Sequence, residues 1–291
     1  MQSNNPVFRR SDAFNGTASH GANAYGNTTY PGNGAAHGGY GQAPTGYADG
    51  GVQAPAGERM TVDSVVQKTA MSLGIVFLTA ALTWFWTGDV RASDAAMGNL
   101  YLALMVGSLG AFGLSMVNSF KRVVSPPLVV AFAALEGVAL GAFSKFIDVR
   151  FVSEAGFGNN IVMQAVIGTF AAFAGTLAAY KILNIKVGQK FRTFVVAAMF
   201  GMVGLGLMEM VLGAFGNQVG FFGFGGMGLL FSFAGLVLGV FMLILDFDFV
   251  ERGIEAGLPE RESWRAAFGL TVTLVWIYIE ILRILAILRG D

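Results

Sequence analysis

Residues 241–253 read FMLILDFDFVERG: a run any membrane helix could contain, closed by two carboxylates around a phenylalanine. Burying an ionised carboxylate in an apolar environment is costly, so Asp246 and Asp248 need a partner, water or a proton. The apolar run before them decides the fold class. It extends back to about residue 226, long enough to cross a hydrocarbon core of about 30 Å as a helix. Six more stretches of that kind lie near 69–87, 97–118, 126–147, 161–183, 191–215 and 266–288. Continuous apolar runs, rather than period-two alternation, select helices over a barrel.

Composition agrees. Apolar residues make up 54% of the chain and charged residues 12%, whereas soluble domains carry about 25% charged residues. The expected fold is an all-α polytopic membrane protein with seven transmembrane helices, in a domain spanning 61–291. Residues 1–60 differ: a tail rich in Gly, Asn, Ala and spaced Tyr, without apolar periodicity, of the composition that stays disordered. It lacks the basic start and apolar core of a secretory signal.

Connections such as TGDVRASDAA (87–96) and KRVVSPP (121–127) are short and polar. Thirteen Lys and Arg fall on the side of the N-terminus, including Lys121, Arg122, Lys186, Lys190 and Arg252. Four, Arg91, Lys145, Arg150 and Arg289, fall on the other. The positive-inside rule then puts the N-terminus in the cytoplasm and the C-terminus outside, in a multi-pass plasma (inner) membrane protein. Glycines three or four apart in VGSLGAFG (106–113) and GMVGLGLMEMVLGAFG (201–216) predict helices in close contact.

Several chemistries are excluded or unsupported. The chain has no cysteine, so disulfides and thiolate metal sites are out, and its two histidines, His20 and His37, lie in the tail. No zinc-protease, serine-protease or phosphate-loop motif is present. Nothing marks an enzyme or a bound cofactor, and a formal net charge of zero gives no field for nucleic acid.

Five acids lie inside spans: Glu136, Glu209, Asp246, Asp248 and Glu280, with Arg283 one turn after Glu280. At 1.5 Å per residue their depths from the cytoplasmic boundary are roughly 3–6 Å for Asp248 and Asp246, about 15 Å for Glu136, about 21 Å for Glu280 and about 27 Å for Glu209. A staggered set suits passage of a cation or proton better than one hydrolytic centre. Each acid also has a plainer reading. Asp246, Asp248 and Glu209 sit near an interface, and Glu280 can pair with Arg283. Asp246 and Asp248 point roughly 200° apart, so one faces inward while the other meets water or a base such as Arg252.

Three segments carry a family resemblance. EGVALG (136–141), ILDFDF (244–249) and WIYIEILRIL (276–285), in this order within seven short-looped spans, resemble the third, sixth and seventh helices of the Bax inhibitor family. The resemblance covers about 69–289 and implies calcium leak across a membrane. It also implies a carboxylate pair between the sixth and seventh helices, here Asp246 or Asp248 with Glu280, with a calcium contact at Asp246 and Glu280. Such a pair shares a proton, and losing it would add repulsion, weaken the contact and attract a cation. Two other readings stand beside the leak. One is a membrane regulator that docks other membrane proteins through the tail and the loop 251–265. The other is proton-coupled transport of a small solute.

Overall fold

The computed structural model describes residues 58–151 and 160–290. These form seven helices: α1 Val62–Trp86, α2 Asp94–Phe120, α3 Pro126–Phe151, α4 Ile161–Ile182, α5 Gln189–Ala214, α6 Gly226–Glu255 and α7 Glu262–Gly290. All seven are long and apolar enough to cross a membrane. The seven expected spans are therefore found, most of them longer than the apolar runs alone indicate. Helix α1 starts seven residues early because Thr61 caps it: its hydroxyl accepts the Ser64 N–H while the Ser64 hydroxyl accepts the Thr61 N–H.

Helix α7 is the centre of the bundle. It packs against α6, α1, α4 and α3, and α3 in turn lies between α1 and α2. Helix α5 is peripheral and rests mainly on α6. This ranking follows the sequence. Helix α7 buries Ala266, Ala267, Ile277, Leu282 and Ala286, whereas α5 turns Phe194, Phe200, Leu205 and Met208 outward, where lipid would cover them.

Small residues set the closest crossings. A Cβ on Gly137 would stand 1.9 Å from the Thr79 hydroxyl, and one on Gly141 would stand 2.4 Å from the Ala80 carbonyl. The EGVALG segment is thus the face on which α3 meets α1. Gly107, in the first glycine-rich stretch, meets the Ala139 backbone in the same manner, as its spacing predicts. The second stretch does not behave so. Gly201 and Gly204 have nothing within 4 Å of a Cβ. They lie on the loosely packed α5, and the space beside this helix becomes important below.

The described chain begins with a strap. The Met60 N–H donates to the Leu258 carbonyl at 2.8 Å and the Glu260 N–H to the Glu58 carbonyl at 2.7 Å, around an antiparallel bridge between Arg59 and Pro259. Lys68 closes the strap on Glu260 at 2.5 Å and lies over the Trp264 ring. The last three residues of the stretch read as tail are therefore tied to the α6–α7 connection. Residues 1–57 lie outside the described residues.

Candidate functional site

The five intramembrane acids fall into two groups. At the end of the bundle where α1 begins, Asp246 and Asp248 face opposite ways, as their spacing on one helix requires. Asp246 points inward, is 2% exposed, and accepts the Thr273 hydroxyl of α7 at 2.5 Å. Asp248 points toward bases. It accepts from Arg252 Nε at 3.0 Å, one turn on in α6, and from Arg192 at the start of α5. Arg252 also reaches the Val187 carbonyl at 3.0 Å. This one carboxylate joins the end of α6 to the beginning of α5, and charge-assisted contacts of this kind are stronger than neutral ones. Just beyond, the Tyr180 hydroxyl of α4 donates to Glu251 at 2.5 Å.

The other group lines a cavity of about 940 Å³ between α3, α5, α6 and α7, with Glu136, Glu209 and Glu280 all in its wall. The depth estimates keep these three acids apart. Packing brings them to one space because α5 stands away from α3 and α7. Glu209 is fixed by the following loop, its two oxygens accepting the Val219 N–H at 3.0 Å and the Gly220 N–H at 2.7 Å. Gly220 has φ +94°, a conformation that favours glycine. Glu280 is buried and faces Arg283 at 3.4 Å. The Arg283 guanidinium also donates to the Phe221 carbonyl at 2.8 Å and lies over the Phe222 ring. Gly235 of α6 makes room for the Glu280 carboxylate, since a Cβ there would be 2.8 Å from it. Glu136 alone makes no hydrogen bond or ion pair among the described residues. It also lines a second groove of about 450 Å³ between α2, α3 and α7.

Asp246 and Glu280, the implied pair, are not brought together. Thr273, the partner of Asp246, precedes Glu280 by seven residues, about 10 Å along α7. Asp248 is held instead by its two arginines. No group of three or more His, Cys, Asp or Glu side chains gathers as a metal site among the described residues. Two contributors escaped the sequence reading. Thr273 sits in an apolar run, TVTLV, and only its hydroxyl marked it. Arg192 is one of the thirteen basic residues on the side of the N-terminus, and nothing in its sequence neighbourhood points to the aspartate it holds.

Residues 5–290 match the protein family described as Bax inhibitor 1 like. The chain belongs to that family. The match runs through most of the tail as well as the helices, further than the three motif segments reach. A comparison with curated proteins finds no match. Seven apolar helices and membership of the Bax inhibitor 1 like family make this a multi-pass membrane protein.

Proposed function

We propose that this Bax inhibitor 1 like chain is a pH-sensitive cation leak, with calcium as the ion, and not an enzyme. One observation supports it above the others: three carboxylates from three helices face one cavity inside an apolar bundle, and one of them, Glu136, has neither a countercharge nor a hydrogen bond among the described residues. Intramembrane acids lower the barrier to a cation and raise it for an anion. Because the cavity holds few fixed ligands, a hydrated ion is attracted without being trapped, as conduction requires. In the orientation set by the basic residues, the cavity lies toward the outer side of a plasma (inner) membrane and the Asp248 cluster toward the cytoplasm.

Closure is assigned to the cytoplasmic ends of α5 and α6. Phe191 and Phe241 meet edge to face there with ring centres 5.5 Å apart. Arg192 and Arg252 converge on Asp248 beside them. Only an ionised Asp248 can hold both guanidinium groups. Protonation removes that charge, frees the start of α5, and lets the cavity communicate with the cytoplasmic end. Leak then rises as pH falls. The sign is opposite to that of a shared-proton acid pair, because the partner found for this aspartate is cationic rather than acidic.

The test is calcium entry into proteoliposomes between pH 5 and 8. Asp248→Asn should leak at pH 8 at the rate the unaltered protein reaches only in acid, with its pH dependence flattened. An Asp248→Asn protein with the unaltered pH profile would remove Asp248 from the gate.

A further inference from the structure

The cavity that Glu136 faces has a chemistry suited to more than a hydrated ion. We propose that it binds a lipophilic organic cation: one ammonium-like or phosphonium-like charge on an apolar body. The inference does not depend on conduction, since binding at equilibrium requires no pathway through the protein.

Size comes first. A cavity of about 940 Å³ lies at the upper end of the range typical of small-molecule sites, about 300–1,000 Å³. Its wall is apolar and adaptable, with Phe222, Phe231 and Trp276 supplying aromatic faces and Met202 and Met210 flexible thioethers. Aromatic faces attract organic cations, and methionine accommodates ligands of differing shape.

Charge then selects the class of ligand. Both oxygens of Glu209 are occupied by loop N–H groups, and Glu280 faces Arg283. Glu136 is left with neither a hydrogen-bond donor nor a countercharge among the described residues, half-buried at the middle of α3. One negative charge in an apolar wall calls for one positive charge, and a weakly hydrated one costs least to bring there. An inorganic divalent ion is the poorer occupant, because calcium takes about six to eight oxygen ligands and no three acidic or histidine side chains gather among the described residues.

Access supplies the remaining argument. Val203 and Leu207 of α5 belong to the cavity wall and are 46% and 54% exposed, so the cavity is open along α5. An amphiphile dissolved in the bilayer can therefore enter sideways between α5 and its neighbours, with the second groove beside Glu136 open to its apolar portion.

The experiment is equilibrium binding of radiolabelled tetraphenylphosphonium at pH 8 to the full chain in nanodiscs of zwitterionic lipid, with empty discs subtracted. The expected result is saturable binding that Glu136→Gln weakens by roughly tenfold or more, the usual scale for losing a desolvated charge partner. Leu207→Trp, which fills the cavity from an exposed position in its wall, should weaken it as well, with melting unchanged. Decylamine should displace the probe, and N-acetyl-decylamine, which carries no charge, should not. No saturable binding would overturn the proposal, as would full affinity in both variants. Equal displacement by the charged and neutral competitors would also overturn it, making the cavity a seat for lipid chains. Saturable binding in a protein that passes no calcium would sink the leak and leave this site standing.

Discussion

Asp246 of α6 takes the Thr273 hydroxyl of α7 at 2.5 Å, and both side chains are buried. This contact stands where the family resemblance implies a pair of acids. One acid and one hydroxyl share a proton donor without the repulsion that two ionised carboxylates would bring.

Thr273→Val should therefore destabilise the protein by about 1–3 kcal/mol, the cost of leaving a buried acceptor unmet, while Thr273→Ser should restore most of it. Thr273→Asp would create the missing acid pair. Its stability should hold in acid and fall as pH rises, because the two carboxyls cannot both ionise at that distance. Melting temperatures across pH 5 to 8 check both statements, and a pH-independent loss in Thr273→Asp would contradict the second.

Gly137 is predicted to tolerate no side chain, and Gly235 to accept one only at the expense of the Glu280 and Met202 side chains beside it. Gly235→Ala brings a methyl against the Glu280 carboxylate, and Gly137→Val drives one into the Thr79 hydroxyl and the Val76 carbonyl. Overpacking of this kind costs about 1–3 kcal/mol, and more where the obstacle is backbone. Gly201→Ala on α5 meets open space and should leave melting unchanged or slightly raised. The contrast between the variants is what the melting curves should show.

Lys145 is the clearest case of a charge with a structural task. Its ammonium donates to the Trp84 carbonyl at 2.6 Å, the Gly88 carbonyl at 2.5 Å and the Thr87 hydroxyl at 2.9 Å, closing the C-terminal end of α1. Lys145→Met keeps much of the apolar stem and loses the donors. It should cost about 2 kcal/mol, within the range for hydrogen bonds to a charged group. Calcium entry at matched protein content should be unchanged, since Lys145 lines neither the acid-bearing cavity nor the Asp248 cluster.

The strap over the α6–α7 connection should be indifferent to pH where the gate is not. The Lys68 ammonium bonded to Glu260 holds that carboxyl below the usual glutamate range. A depressed carboxyl contributes its stability above the ordinary value and loses it only as pH falls through the lowered one. Between pH 5 and 8 the contact therefore stays intact. Amide exchange at Met60 and Glu260, corrected for intrinsic rates, should show constant protection over that interval. A loss of protection toward pH 5 would contradict it.

The helices were legible because a bilayer leaves the backbone few alternatives. Long apolar runs become helices, and the short polar loops between them set their count. The opposed directions of Asp246 and Asp248 were equally legible, since they follow from positions on one helix, but which of the two meets Arg252 was not. Contacts between helices were not. Nothing in the sequence marks Thr273 over Thr271, whose hydroxyl instead bonds its own helix at Ala267. Depth along separate helices said nothing of Glu136, Glu209 and Glu280 sharing a cavity, because that depends on how far α5 stands from α3 and α7. Gly201 and Gly204 of α5 gave the opposite signal, close contact, and lie beside open space instead.

Glu136 carries the central claim, being the one acid in the cavity without a partner among the described residues. The most direct measurement is calcium entry into proteoliposomes at pH 8 in the Asp248→Asn background, where the gate stands open and Glu136 is ionised, with and without Glu136→Gln, insertion and melting matched. The prediction is a leak reduced roughly tenfold or more in Glu136→Gln, as expected when the charge that attracts a cation in an apolar wall is lost. Equal calcium entry in the two proteins would contradict it and remove the cavity from the ion's path.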